Sequence, residues 1–255
     1  MAIGEVRVAA TALTFLTRLP LARLSSADPA GLSAATRWFP VVGLSIGGLL
    51  AMTLLGVDAL VPTTVAVVLT IAVGVLVTGG LHEDGFADVA DSAGAFGVER
   101  RLAIMRDSRI GAYGALALLL LVLARFVTLS AIAASTVSLV VAALVTAHVM
   151  ARWSSVALMA ALPYARPEGA NGIVAQGVKA SQLGLATAVA ALCLIPAAAL
   201  APLMTMMAII AALIIASVAG WWFKRTLGGI TGDCLGAANV LVEIVVLAVA
   251  TGFVA

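Results

Sequence analysis

The chain has 255 residues, of which 63 % are hydrophobic and 10 % charged, and its mean hydropathy is +1.19. A soluble domain carries roughly 45–50 % apolar and about 25 % charged residues, so a water-soluble globule is excluded and lipid is the solvent for most of the chain. A net charge of +2 excludes a nucleic-acid binder, while two cysteines without Cys-x-x-Cys spacing and two histidines exclude a disulfide framework and a structural zinc site.

In chain order, the first feature is a segment in which Arg7, Thr11, Thr14 and Arg18 recur at helical spacing, with Val8, Ala12, Phe15, Leu16 and Leu19 on the other faces. This predicts an interfacial helix ended by Pro20, anchoring on the cytoplasmic leaflet with a substrate-facing role as the alternative. Arginines inside this segment exclude a cleavable signal. Long apolar runs without period-2 alternation then exclude a barrel and predict an all-α, polytopic bundle. Seven spans of about 20 residues fit, at 38–60, 62–80, 113–133, 137–162, 183–200, 203–223 and 239–255. Pro62 and Pro202 are natural helix starts.

Every Lys and Arg except Arg125 and Arg152 falls in the N-terminal segment or in alternate connections. The positive-inside rule makes that side cytoplasmic and puts the C-terminus outside. The expected location is the bacterial cytoplasmic (inner) membrane, with residues 1–255 forming one integral membrane domain.

Half of the acidic residues lie between Glu83 and Asp107. In G-G-L-H-E-D-G-F-A-D-V-A-D, Asp84, Asp88 and Asp91 share one helical face at i, i+4 and i+7. Like charges so close need a cation, and oxygen ligands without His or Cys favour a hard ion, Mg²⁺ shared with substrate phosphates. His82 either orients a carboxylate or phosphate or is a plain interfacial histidine. Next, R-R-L-A-I-M-R-D-S-R-I-G-A-Y-G places Arg106 and Arg109 around Asp107 and Ser108. Guanidinium forks beside metal-binding acids point to phosphoryl transfer.

Arg125, Arg152 and Glu243 fall inside spans, where an ionisable group implies pairing or function. His148, one turn before Arg152, reads as a satisfied bundle residue. In G-G-I-T-G-D-C-L-G-A-A-N, Asp233 sits between glycines, either presenting backbone N–H groups to an anion or lying in a flexible turn.

These two long motifs resemble the signature of the cobalamin synthase family, the adenosylcobinamide-GDP ribazoletransferases. The resemblance extends to F-L-T-R-L-P, A-R-W, P-Y-A-R-P-E-G and G-G-I-T-G-D-C-L-G-A, and covers nearly the whole chain. Two positions depart from the family pattern: Ser92 stands where Gly is usual, and Arg106 where Lys is common. The resemblance implies a Mg²⁺-dependent transferase of cobalamin biosynthesis. A ribose hydroxyl of α-ribazole or its 5′-phosphate attacks adenosylcobinamide-GDP, GMP leaves, and adenosylcobalamin or its 5′-phosphate forms. It further implies Asp84, Asp88 and Asp91 as metal ligands, with Asp84, Asp88 and Asp107 in the chemistry. His82, Arg106, Arg109, Arg152, Arg166 and Asp233 would hold substrate. Self-association and complexes with other cobamide assembly enzymes remain open. The rival class is an ion-coupled or metal transporter, which would draw on Arg125, Arg152 and Glu243 but place its coupling acids near the bilayer midplane.

Overall fold

A computed structural model describes residues 2–20, 22–25, 29–166 and 178–254. Helix α1 (Ala2–Leu16) and the short α2 (Pro29–Ala35) precede α3 (Phe39–Asp58), α4 (Thr63–Thr78), α5 (Leu81–Ala93) and α6 (Val98–Ile104). They are followed by α7 (Ala112–Ala133), α8 (Val137–Ala161), α9 (Ala180–Leu200), α10 (Pro202–Leu227) and α11 (Gly232–Thr251). Among the described residues, the isolated bridge between Tyr164 and Ile230 is the only strand-like pairing. The protein is an all-α polytopic membrane bundle.

Six helices are long and apolar enough to cross a bilayer alone. The seventh expected span lies on α4, which meets α5 at a 90° bend. Gly79 and Gly80 make that bend with φ of 67° and 69°, left-handed values that side chains resist. Arg18 packs directly on Gly79, and its N–H donates to the Val77 carbonyl at 2.8 Å. The bend turns α5 away from the α4 axis and lays Asp84 and Asp88 beside α11.

Most expected boundaries hold within a few residues, but the last span starts at Gly232 and not at 239. The Thr231 hydroxyl accepts the Cys234 N–H at 3.3 Å and caps α11 there. Packing against α5 holds the following glycine-rich turns helical. Asp233 is therefore a first-turn helical residue and not part of a loose turn.

α8 is the central helix, with 78 % of its membrane window buried against 22 % for α7. Gly43 and Gly47 let α3 cross it backbone to backbone. A Cβ on Gly47 would lie 2.6 Å from the Leu144 carbonyl oxygen, and Gly43 abuts the His148 carbonyl. α1 departs from a simple surface helix. Thr11 is 2 % exposed, Leu16 is buried, and Phe15 stacks on Phe39 with ring centroids 6.0 Å apart.

Candidate functional site

The helical spacing of α5 does bring Asp84 and Asp88 onto one face, and that face meets the first turn of α11. Contact is possible because both helices carry glycine there. A Cβ on Gly85 would lie 2.8 Å from the Asp233 Cα, and one on Gly236 would lie 3.2 Å from the His82 carbonyl oxygen. Asp233 thus joins Asp84 and Asp88, although it comes from the far end of the chain. Arg166 is delivered to the same place by a short backbone pairing. The Ile230 N–H donates to the Pro163 carbonyl at 2.9 Å and the Ala165 N–H to the Ile230 carbonyl at 2.8 Å. Arg166 Nη2 then donates to Asp233 Oδ2 at 2.9 Å. The rest of P-Y-A-R-P-E-G, residues 167–169, lies outside the described residues.

Asp91 is engaged differently from its two neighbours on this helix. Its two oxygens accept the Gly111 and Gly114 N–H groups, each at 2.7 Å, and so cap the start of α7. Gly111 and Gly114 press against this carboxylate so closely that neither has room for a Cβ. The residue expected as a metal ligand is committed to unsatisfied N–H groups at a helix N-terminus. Ser92 fits where a glycine is usual because α5 simply continues through it. Its hydroxyl donates to the Val89 carbonyl at 2.8 Å, and its own carbonyl accepts Arg101 Nη1 at 3.2 Å.

Asp84, Asp88 and Asp233 open onto a polar basin of about 840 Å³ shared with Arg106, Asp107, Ser108 and Arg109. Burial and the neighbouring Asp233 and Asp84 carboxylates raise the Asp88 pKa to about 7. That is what a carboxylate cluster short of a cation produces. Asp107 does not face these acids as a bare carboxylate. Arg109 grips it through Nη2 at 2.6 Å and Nε at 3.0 Å, and these hydrogen bonds hold its pKa down to about 2. Arg109 is thus engaged with Asp107, while Arg106 is exposed at the basin.

Among the described residues no group of three His, Cys, Asp or Glu side chains is placed to hold a metal ion. Mg²⁺ does not require one, since it is commonly held by one or two carboxylates plus substrate phosphates and water. One or two hard-oxygen donors drawn from Asp84, Asp88 and Asp233 fit that requirement.

A second pocket, of about 680 Å³, lies on the other side of Asp84 and Asp233. Its walls are apolar, with Phe15, Phe39, Met159 and Leu235, and its polar groups include His82, Ser155 and Asn239. The two pockets share Asp84 and Asp233 as a common wall.

Arg152 lies apart from this basin. It is 3 % exposed, lines neither pocket, and contacts His148 Nδ1 through Nη1 at 2.9 Å. It belongs to a buried network whose partners the sequence left unnamed, although pairing or function was expected for each intramembrane charge. Arg125 joins Glu243 at 2.8 Å and Glu83 at 2.7 Å, tying α7 to α11 and α5. His148 Nδ1 lies 3.9 Å from Glu243. Glu83 precedes Asp84, so this network anchors the acidic helix from inside the bundle. Asn239 and Ser155 carried a weaker signal, as polar side chains within otherwise apolar helices.

The family model described as Cobalamin-5-phosphate synthase matches residues 8–251. The chain is 37 % identical over 246 residues to the adenosylcobinamide-GDP ribazoletransferase of Shewanella amazonensis, covering 95 % of this chain and 94 % of the relative. It is 36 % identical over 239 residues to that of Ralstonia pickettii, covering 93 % and 92 %. The corresponding protein of Ralstonia nicotianae is 38 % identical over 240 residues, covering 92 % and 91 %. No solved structure matches. The carboxylate pair on α5, the guanidinium motif beside it and this full-length likeness lead to one assignment: the chain belongs to the cobalamin-5-phosphate synthase family.

Proposed function

We propose that this protein is an adenosylcobinamide-GDP ribazoletransferase of the bacterial inner membrane, with its active site facing the cytoplasm and Mg²⁺ as cofactor. A ribose hydroxyl of α-ribazole, or of its 5′-phosphate, bonds to the cobinamide-side phosphorus. The bond from that phosphorus to the GMP oxygen breaks, GMP leaves with the electron pair, and the hydroxyl proton passes to a carboxylate. The observation that carries this reading is the shared wall. Asp84 and Asp233 separate a charged basin suited to a diphosphate from an apolar pocket, so two dissimilar substrates can meet at one carboxylate pair.

Bound Mg²⁺ would supply charge neutralisation for the diphosphate and the departing GMP. One or two of Asp84, Asp88 and Asp233 would hold it together with substrate phosphate oxygens. Asp233 is engaged by Arg166, so the hydroxyl proton is assigned to Asp84, which faces both pockets. Arg106 holds diphosphate oxygens, and Arg109 joins it when a phosphate competes with Asp107 for its fork. The carrier reading draws on the bent α4–α5 pair and buried Arg125, but two glutamates already match that arginine. GMP release by purified protein in detergent, given both substrates and Mg²⁺, tests the proposal. Absence of GMP from the folded protein overturns it, and a carrier would form none.

A further inference from the structure

The apolar pocket between α1, α3, α5, α8 and α11 carries an unmet polar demand. Asn239 is 2 % exposed. Its Nδ2 donates to Ser155 Oγ and to the Leu235 carbonyl, the latter at 2.9 Å, while its Oδ1 has no hydrogen-bond partner. A buried amide oxygen without a donor is costly, so the pocket is short of one N–H or O–H group. The stacked Phe15 and Phe39 rings supply a flat apolar wall, and Met159 and Leu235 line the pocket with them.

We infer that this pocket is the acceptor subsite, taking the apolar bicyclic base of α-ribazole against Phe15, Phe39, Met159 and Leu235 while a ribose hydroxyl donates to Asn239 Oδ1. The inference rests on the transfer reading above and adds to it the side from which the nucleophile arrives. A nucleoside seated this way presents its other hydroxyls towards Asp84 and Asp233 at the rim, where a proton must be accepted. Guanine does not suit the pocket, because its edge of several donors and acceptors would be buried largely against hydrocarbon. The polar basin on the far side of Asp84 is left for the GDP moiety. Neither Asn239 nor Ser155 belongs to the two acidic and basic sequence motifs, and Phe15 comes from the helix expected only to anchor.

The test is isothermal titration of α-ribazole into the full-length protein in detergent, with and without Mg²⁺ and GMP. The variants are Asn239→Leu, which removes the acceptor, and Leu81→Trp, which fills the pocket from its 46 % exposed rim. Each should bind α-ribazole about tenfold or more weakly, the scale of one lost hydrogen bond in a closed site. Each should also raise the KM for α-ribazole while leaving that for adenosylcobinamide-GDP within about twofold. If Asn239→Leu does not fold, Leu81→Trp decides, since its side chain is at the surface. Undiminished α-ribazole binding in the folded variants, or no binding by wild type, overturns the assignment, as would a purified lipid chain filling the pocket. Weakened binding in a protein that releases no GMP would keep the subsite and reject the transfer reading.

Discussion

Gly85 and Asp233 are in backbone contact: a Cβ on the glycine would lie 2.8 Å from the aspartate Cα and 2.9 Å from its carbonyl oxygen. Their contact sets how near the carboxylates of α5 and α11 come to each other. Gly85→Ala should gain up to about 1 kcal/mol of helix propensity yet lose about 1–3 kcal/mol to overpacking, because backbone cannot step aside as a side chain can. GMP formation should fall by more than tenfold while the protein still inserts in membranes. Gly48→Ala, with open space around its Cβ position, is the matched control and should be neutral or slightly stabilising. Equal activity in the two variants would contradict the role given to this contact.

Asp91 and its two helical neighbours should separate cleanly. Asp84→Asn and Asp88→Asn should each reduce turnover by about 100-fold or more, comparable with other deletions of charge from a phosphoryl-transfer site, without loss of fold. Asp91→Asn should instead lower stability by about 1–2 kcal/mol, since an amide caps α7 less well than a carboxylate accepting two N–H groups. Its Mg²⁺ dependence should match wild type. Thermal unfolding and Mg²⁺ titrations of GMP release, measured on all three, check this division.

The raised pKa of Asp88 fixes the sign of two pH effects. Below about 7 the residue holds a proton, and a cation must displace it. Apparent Mg²⁺ affinity should therefore be about tenfold weaker at pH 6 than at pH 8. Without Mg²⁺, stability contributed by protonated Asp88 is fully present below the unfolded carboxylate value and lost as pH rises through about 7. Asp88→Asn should flatten that loss. Identical Mg²⁺ titrations at the two pH values would remove the competition argument.

Burial of Arg152 changes what its substitution should do. A phosphate-gripping arginine would show itself in the KM for adenosylcobinamide-GDP, but this one is turned to His148 inside the bundle. Arg152→Lys should lower thermal stability and leave that KM within about twofold. Arg125→Leu should be harsher, destabilising by about 3–5 kcal/mol, because Glu83 and Glu243 would be left buried without a cation. Adding Glu243→Gln to Arg125→Leu should recover part of that loss. A selective rise in KM for Arg152→Lys would return this residue to the substrate.

Orientation is checked with cysteines at exposed positions in the connections. Labels at Glu99 and at Lys224, in the last turn of α10, should react from the cytoplasmic side and one at Ala134 from the other, while native Cys193 and Cys234 are buried. Labelling of all three from one side would break the alternation of charged connections.

The amino-acid sequence by itself determined the all-α polytopic class and the order of its apolar helices, because hydrocarbon admits only segments that satisfy their own backbone. It also determined that Asp84 and Asp88 share a face, since that follows from helical period alone. What each side chain touches lay beyond it. Asp91 has the same spacing and chemistry as its neighbours, yet the start of α7 lies against it and takes both its oxygens. Asp233 resembled a loop residue until Thr231 capped α11 and two glycines let α5 approach. Arg125 and Arg152 are equally intramembrane in sequence, but only the packing of α7, α8 and α11 made one the partner of two glutamates and the other of a histidine. Contacts of this kind depend on which helices cross and how closely, and those distances are set by small residues on both partners rather than by either segment alone.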